Sequence, residues 1–175
     1  MKIERITAAN QAALQLPNEP FSRFGEFIVT RDDQGWHHHE RLLTTPFTQT
    51  FPDEHYQLAD IDAAGFALGA FDEATCIGLA TFEYEFRWNH YLYLDDLKVN
   101  QAYRGQGIGH QLLDAAIPLA KAHGNQGLCT IAQGSNLAAN RFYLKYGFHI
   151  GGLNTADYHF TSARGETDIN YYLEF

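Results

Sequence analysis

The stretch that most constrains this chain is Arg104-Gly105-Gln106-Gly107-Ile108-Gly109. Before it, the alternating and apolar residues from Tyr91 to Val99 predict a β-strand. After it, apolar residues recur at helical spacing from Ile108 to His123, with Ile108, Leu112, Ala116 and Leu119 on one face and Gln111, Asp114 and Lys121 opposite. A glycine-rich turn that feeds a helix N-terminus exposes backbone N–H groups, and the helix dipole adds partial positive charge. That combination seats an anion, best of all a phosphate. A P-loop would need Gly-Lys-Ser/Thr at its end, yet Gly109 is followed by His110 and Gln111. A dinucleotide fingerprint needs G-x-G-x-x-G, and the spacing here is G-x-G-x-G.

The rest of the chain is arranged around this turn. Phe66 to Asp72 and Thr75 to Phe86 read as strands joined at Asp72-Glu73-Ala74. A second turn, Arg87 to His90, leads into Tyr91 to Val99, which makes an antiparallel meander. Pro118 should bend the helix, and Gly124 should cap it. Gly127 to Gln133 is the next strand, so strand, helix and strand form a parallel crossover. Asn136 to Tyr146 is a second helix, capped by Ser135 or Asn136 and closed by Gly147. Phe148 to Phe160 and Asp168 to Phe175 read as closing strands. At the other end, Lys2 to Thr7 is an edge strand and Ala8 to Leu16 a short helix stopped by Pro17. From Pro17 to about Asp60 no period is visible, and four of the five prolines fall here. An irregular stretch of that length suggests a functional surface or hidden short elements, Trp36 to Leu43 being the best of them. The expected fold is α/β (α+β): a mixed, mostly antiparallel sheet with one parallel strand–helix–strand crossover, as a single domain over residues 1–175.

The formal net charge of −9 argues against nucleic acid as a partner and leans toward a cationic substrate. No apolar run is long enough to span a membrane, and MKIERITAAN carries no apolar signal segment. Cys76 and Cys129 form neither metal spacing nor a disulfide framework, so a cytoplasmic protein with free thiols is expected. His37, His38 and His39 are consecutive and cannot all face one way, so no metal site is expected.

The pattern R-x-x-G-x-G after a strand carrying Leu97-x-Val99 resembles the acetyl-CoA pyrophosphate loop of the GNAT superfamily of N-acetyltransferases. Downstream, Asn136-x-x-Ala139-x-x-Phe142-Tyr143-x-x-x-Gly147-Phe148 resembles that superfamily's other signature. Within it, the chain resembles streptothricin acetyltransferases from Pro17 to Phe175. Pro17-Asn18-Glu19-Pro20-Phe21 is similar to their P-x-E-P-F segment, and Trp88-Asn89-His90-Tyr91-Leu92-Tyr93-Leu94-Asp95 to their W-N-x-Y-x-Y-x-acid, with aspartate where glutamate is usual. Tyr172-Leu173-Glu174-Phe175 is similar to their closing strand. Three acids of that family are absent: Ile131 and Gly134 stand where L-x-L-E-T-Q-D-x-N has carboxylates, and Asn154 replaces a third. Fewer carboxylates mean less charge complementarity to a polycation, so the fold and cosubstrate carry over more firmly than the acceptor.

The resemblance implies acetyl transfer from acetyl-CoA, as cosubstrate, to a primary amine by direct attack. Backbone groups of Gly105, Gln106, Gly107, Ile108, Gly109 and His110 would hold the pyrophosphate, with Arg104 adding charge. Leu97 and Val99 would offer backbone groups to the pantetheine arm. Asn136, Ala139 and Tyr143 complete the cofactor side; Trp88, Tyr93 and Asp95 face the acceptor. Asp95 is read as the base that deprotonates the ammonium, or equally as a carboxylate that only orients it. Tyr143 is read as the acid that reprotonates the CoA thiolate, against the alternative of a core aromatic. Asp96 would face away from Asp95 in a regular strand, and Cys129 is read as core. Many members are dimers, which leaves a homodimer open. The functional alternatives are acetylation of a metabolite or protein amine and, from another class, a non-catalytic acyl-CoA-binding sensor.

Overall fold

The computed structural model describes residues 1–175, and two compact units can be distinguished. The first comprises Met1–Pro20, Thr50–Leu128 and Glu174–Phe175. Its sheet holds β1 (Lys2–Arg5), β4 (Gly65–Asp72), β5 (Thr75–Glu83) and β6 (Tyr91–Val99), in the order β1-β4-β5-β6, every pairing antiparallel. The meander β4-β5-β6 and the edge strand β1 follow the sequence reading. The expected helix at Ala8 to Leu16 is a single 3₁₀ turn, Gln11–Gln15, and α1 (Leu58–Ala64) precedes β4. Ile6, Leu14, Ile61, Phe71 and Leu79 form one buried cluster, with Tyr56 and Leu58 packed against it.

Helix α2 spans Ile108–His123 and buries Ile108, Leu112, Leu113, Ala116 and Ala120. It packs on β4, β5 and β6. Gly78 permits that approach: a Cβ there would lie 3.1 Å from Ile108 Cγ2. The helix runs on through Pro118 and ends at Gly124, whose φ of 100° is the left-handed cap that glycine favours.

The second unit comprises Phe21–Gln49 and Cys129–Leu173. Here the sequence reading needs correcting. Most of the supposedly irregular stretch is one long antiparallel hairpin of β2 (Phe21–Asp32) and β3 (Gly35–Gln49). Strand β3 is exposed along nearly its whole length, so it has no buried face to imprint an alternation. The three histidines lie on it and diverge: His37 bonds Asp32 at 2.8 Å, and His38 stacks on Phe27. The unit also holds β8 (His149–Asn154) and all but the ends of β7 (Gly127–Gln133, from Cys129 on) and β9 (Asp168–Glu174, to Leu173), ordered β7-β9-β8. Helix α3 (Leu137–Tyr146) begins at Asn136, whose side chain accepts the Ala139 N–H at 3.2 Å, and ends at Gly147. Strand β8 stops earlier than expected. Asn154 Oδ1 accepts the N–H of Ala156 (2.9 Å) and of Asp157 (3.3 Å), which turns the chain out of the ladder. Cys129 is buried, as read from the sequence. No helix is long and apolar enough to cross a membrane.

Candidate active site

Asp95 lies at an irregularity of β6. Thr81 pairs with Asp96 and Phe82 with Leu94, so Asp95 is the extra residue of a β-bulge, left exposed. Its Oδ2 accepts the Tyr56 hydroxyl at 3.3 Å and the Thr81 hydroxyl at 3.4 Å. The expectation that Asp96 faces away from Asp95 and does not share its job assumed a regular strand. The bulge instead lets both carboxylates act on Tyr56, whose phenol is pushed well above its ordinary range by burial and then by Asp96 and Asp95. Tyr56 therefore stays a proton donor at any working pH. Asp96 pairs with Lys98 at 3.1 Å, and Lys98 also bonds Glu54 at 2.6 Å. Burial raises Asp96 above the usual carboxylate range, against the pull of Lys98. Glu83, opposite Tyr93, is raised by burial and by the charge of Asp95.

Tyr93 stacks on Phe86 with ring centroids 3.7 Å apart. Trp88 projects into solvent at 96% exposure, in a turn where Arg87 and Trp88 both take positive φ (55° and 50°). Non-glycine residues seldom hold that conformation, and it concentrates at functional positions.

The glycine loop follows β6 in the same unit. Gly105 and Gly107 have φ of 76° and 79°, and a Cβ on either would meet nothing within 4 Å. These glycines are required by backbone conformation, and the space above them is open. The Gln111 N–H donates to the Gly107 carbonyl at 3.1 Å, so the N–H groups preceding it belong to a first turn that no helical carbonyl can reach. An open cradle of N–H groups at a helix N-terminus fits a pyrophosphate. Arg104 is engaged by groups of the chain itself. It donates to the carbonyls of Val99 (2.9 Å), Pro20 (2.8 Å) and Glu19 (3.4 Å) and lies 3.9 Å from the Glu19 carboxylate, so it ties the loop to β6 and to the Pro17–Phe21 segment. The Glu19 carboxylate also accepts the Gln101 N–H.

In the second unit, Tyr143 is 8% exposed, its ring edge-on to Phe142 and Phe148 and tilted against Tyr171. The core role and the functional role are thus compatible: packing fixes the ring that carries the hydroxyl. Asn136 caps α3, and Ala139 lies one helical turn before Tyr143 on the same face. Asn140, which sequence reasoning passed over, is fully buried. It donates to the carbonyls of Gln133 and Asn136, both at 2.8 Å, and accepts the Tyr171 hydroxyl at 2.7 Å.

The profile of the Acetyltransferase (GNAT) family matches residues 35–148. The chain is a member of that family. This acetyltransferase is 30% identical to streptothricin acetyltransferase A of Bacillus subtilis (strain 168), across 99% of both chains. It is 31% identical to the streptothricin acetyltransferase of Streptomyces lavendulae, over 69% of this chain and 67% of that one. Among solved structures it superposes on a nourseothricin acetyltransferase with a TM-score of 0.81 at 25% identity, covering 99% and 97% of the two chains. A Bacillus anthracis protein solved with acetyl coenzyme A gives a TM-score of 0.87 at 22% identity, over 99% and 98%. Those likenesses establish the mixed, mostly antiparallel fold with its parallel crossover.

Sequence reasoning found the loop and the Asn136–Tyr143 helix because both are contiguous motifs. It missed Tyr56, Thr81 and Asn140. Only tertiary contact gives the first two their meaning, although Asn140 sits inside a quoted motif.

Proposed function

We propose that this acetyltransferase transfers acetyl from acetyl-CoA to a primary amine of a small cationic acceptor, a streptothricin-like antibiotic being the first choice. The observation that carries the proposal is likeness along 99% of both chains to a protein named for that activity. Gly105, Gln106, Gly107, Ile108, Gly109 and His110 bind the pyrophosphate, and Leu97 and Val99 pair with the pantetheine arm. An alkyl amine of pKa about 10.4 arrives protonated, and freeing it at neutral pH costs about 4–5 kcal/mol without assistance. Asp95 takes that proton. Tyr143 donates one to the departing thiolate, and Trp88 and Tyr93 flank the acceptor. Tyr56 resting on Asp95 favours a small acceptor over a peptide, which would need an open groove there.

The test is release of CoA over a panel of streptothricin, aminoglycosides, spermidine, lysine and short peptides, with Tyr143→Phe as control. Saturable turnover of streptothricin is expected. Turnover of another amine alone would reassign the acceptor. Silence across the panel with tight acetyl-CoA binding would replace the enzyme reading by an acyl-CoA sensor.

A further inference from the structure

Both hydroxyls that reach Asp95 land on the same oxygen, Oδ2, and the residue is otherwise exposed. One of the donors, Tyr56, is itself fixed from several directions. Its carbonyl accepts the Gln15 side-chain amide at 2.8 Å. Its ring packs on the cluster containing Ile6, Leu14 and Phe71, and the Lys98 ammonium sits 5.6 Å from the ring centroid. The segment before it is clamped by Asn18, which bonds the Pro52 carbonyl and the Asp53 and Glu54 carboxylates. The chain on both sides of the ring is thus held, and the hydroxyl emerges on the carboxylate assigned above to the amine.

We infer that Tyr56 is a positioning residue for the acceptor step: together with Thr81 it pins Asp95 by Oδ2 and thereby presents Oδ1 to the incoming ammonium. The inference rests on the role given to Asp95 under Proposed function. When the ammonium N–H breaks, its proton passes to Oδ1 and the electron pair stays on nitrogen for attack. The charged groups around Asp95 are Glu83 on β5, Asp96 and Lys98 on β6, and Glu54 on the segment leading to Tyr56.

The test is steady-state kinetics across pH with acetyl-CoA and streptothricin, or spermidine should the parent chain acetylate that amine instead. Tyr56→Phe, Asp95→Asn and the double variant are compared with the parent, and acetyl-CoA affinity is measured by calorimetry. Tyr56→Phe keeps the ring and should leave acetyl-CoA affinity unchanged. It should lower kcat/KM for the amine about tenfold at every pH where the parent is active. On the Asp95→Asn background it should add nothing. A Tyr56→Phe profile that superimposes on the parent's, with Asp95→Asn impaired, overturns the inference alone. Losses that multiply in the double variant do the same. An Asp95→Asn chain at parental rate removes the base assignment and the inference with it.

Discussion

Tyr171 donates its buried hydroxyl to Asn140 Oδ1 at 2.7 Å, which joins β9 to the middle of α3. Tyr171 is fully buried, and burial together with the neighbouring Tyr143 pushes its phenol well above the ordinary range, so the proton stays in place. Replacing Tyr171 by Phe preserves the ring against Tyr143 but leaves an amide oxygen buried without its donor. The expected loss is about 1–3 kcal/mol, read as a melting temperature several degrees lower. Acetyl-CoA affinity should be unchanged, since the ring contact survives.

Lys98, Asp96 and Glu54 form a partly buried charge cluster, and Lys98 is its only cation. Lys98→Met would leave two carboxylates facing each other without compensation, at a cost of about 3 kcal/mol at pH 7. Asp96 has a folded pKa above its unfolded value, so its protonation favours the fold: its contribution is fully present below the unfolded value near 3.8 and lost as pH rises through the folded one. Burial pushes Glu54 up, but hydrogen bonds from Lys98 and Asn18 outweigh it and leave it lowered in the parent, so its contribution is present above 4.5 and lost on acidification. Without Lys98 that second contribution fades, and the first dominates. Denaturant titrations of the two chains should therefore converge as pH falls from 7 toward 4.5. A gap that stays constant would mean that Lys98 acts through packing.

Gly107 takes a left-handed φ of 79° with open space where a Cβ would be, so alanine there strains the backbone without a clash. Gly107→Ala should cost about 1–2 kcal/mol of stability and weaken acetyl-CoA binding measurably by calorimetry. Gly35 in the β2–β3 turn is a matched control, with φ of 116° and equally open space. Gly35→Ala should lose stability yet bind acetyl-CoA like the parent.

The legible parts of this chain are those where local chemistry and tertiary structure agree. Strand β6, helix α2 and strand β7 match the sequence reading residue for residue, because alternation, an apolar helical face and left-handed glycines at 107 and 124 mark their limits. Of the β2–β3 hairpin only the short element at Trp36 to Leu43, now part of β3, was legible; the rest was not, for the opposite reason. Its outer strand buries nothing, and Pro46 within it argues against a strand. The bulge at Asp95 and the Tyr56 bond across it leave no sequence signal at all. One is a slip in pairing register, and the other joins residues 39 positions apart. The substitutions at Gly134 and Asn154 were visible, but not their setting: Asn154 pairs across the ladder with Asp168, and Gly134 lies beside Glu166.

That setting decides what restoring the family's acid at position 134 would do. A Cβ there would stand 2.6 Å from Thr167 Oγ1 and 3.2 Å from the Phe27 carbonyl oxygen, and the Glu166 carboxylate would lie 3.8 Å away. Glu166 is itself engaged: it accepts the Ser135 N–H at 3.2 Å and pairs with Arg23 at 3.5 Å. Phe27 N–H and Gly134 N–H also bond across this point, to the Gly134 and Thr167 carbonyls at 2.7 and 2.8 Å, so the backbone has little room to yield. Gly134→Asp thus meets both a steric conflict and a second carboxylate. It should destabilise the chain by about 1–3 kcal/mol rather than improve it. Thr167→Gly removes the nearest atom, and combined with Gly134→Asp it should recover part of the loss. If Gly134→Asp is as stable as the parent in urea titration, the contact at Thr167 relaxes freely, and the missing acid has some other cause.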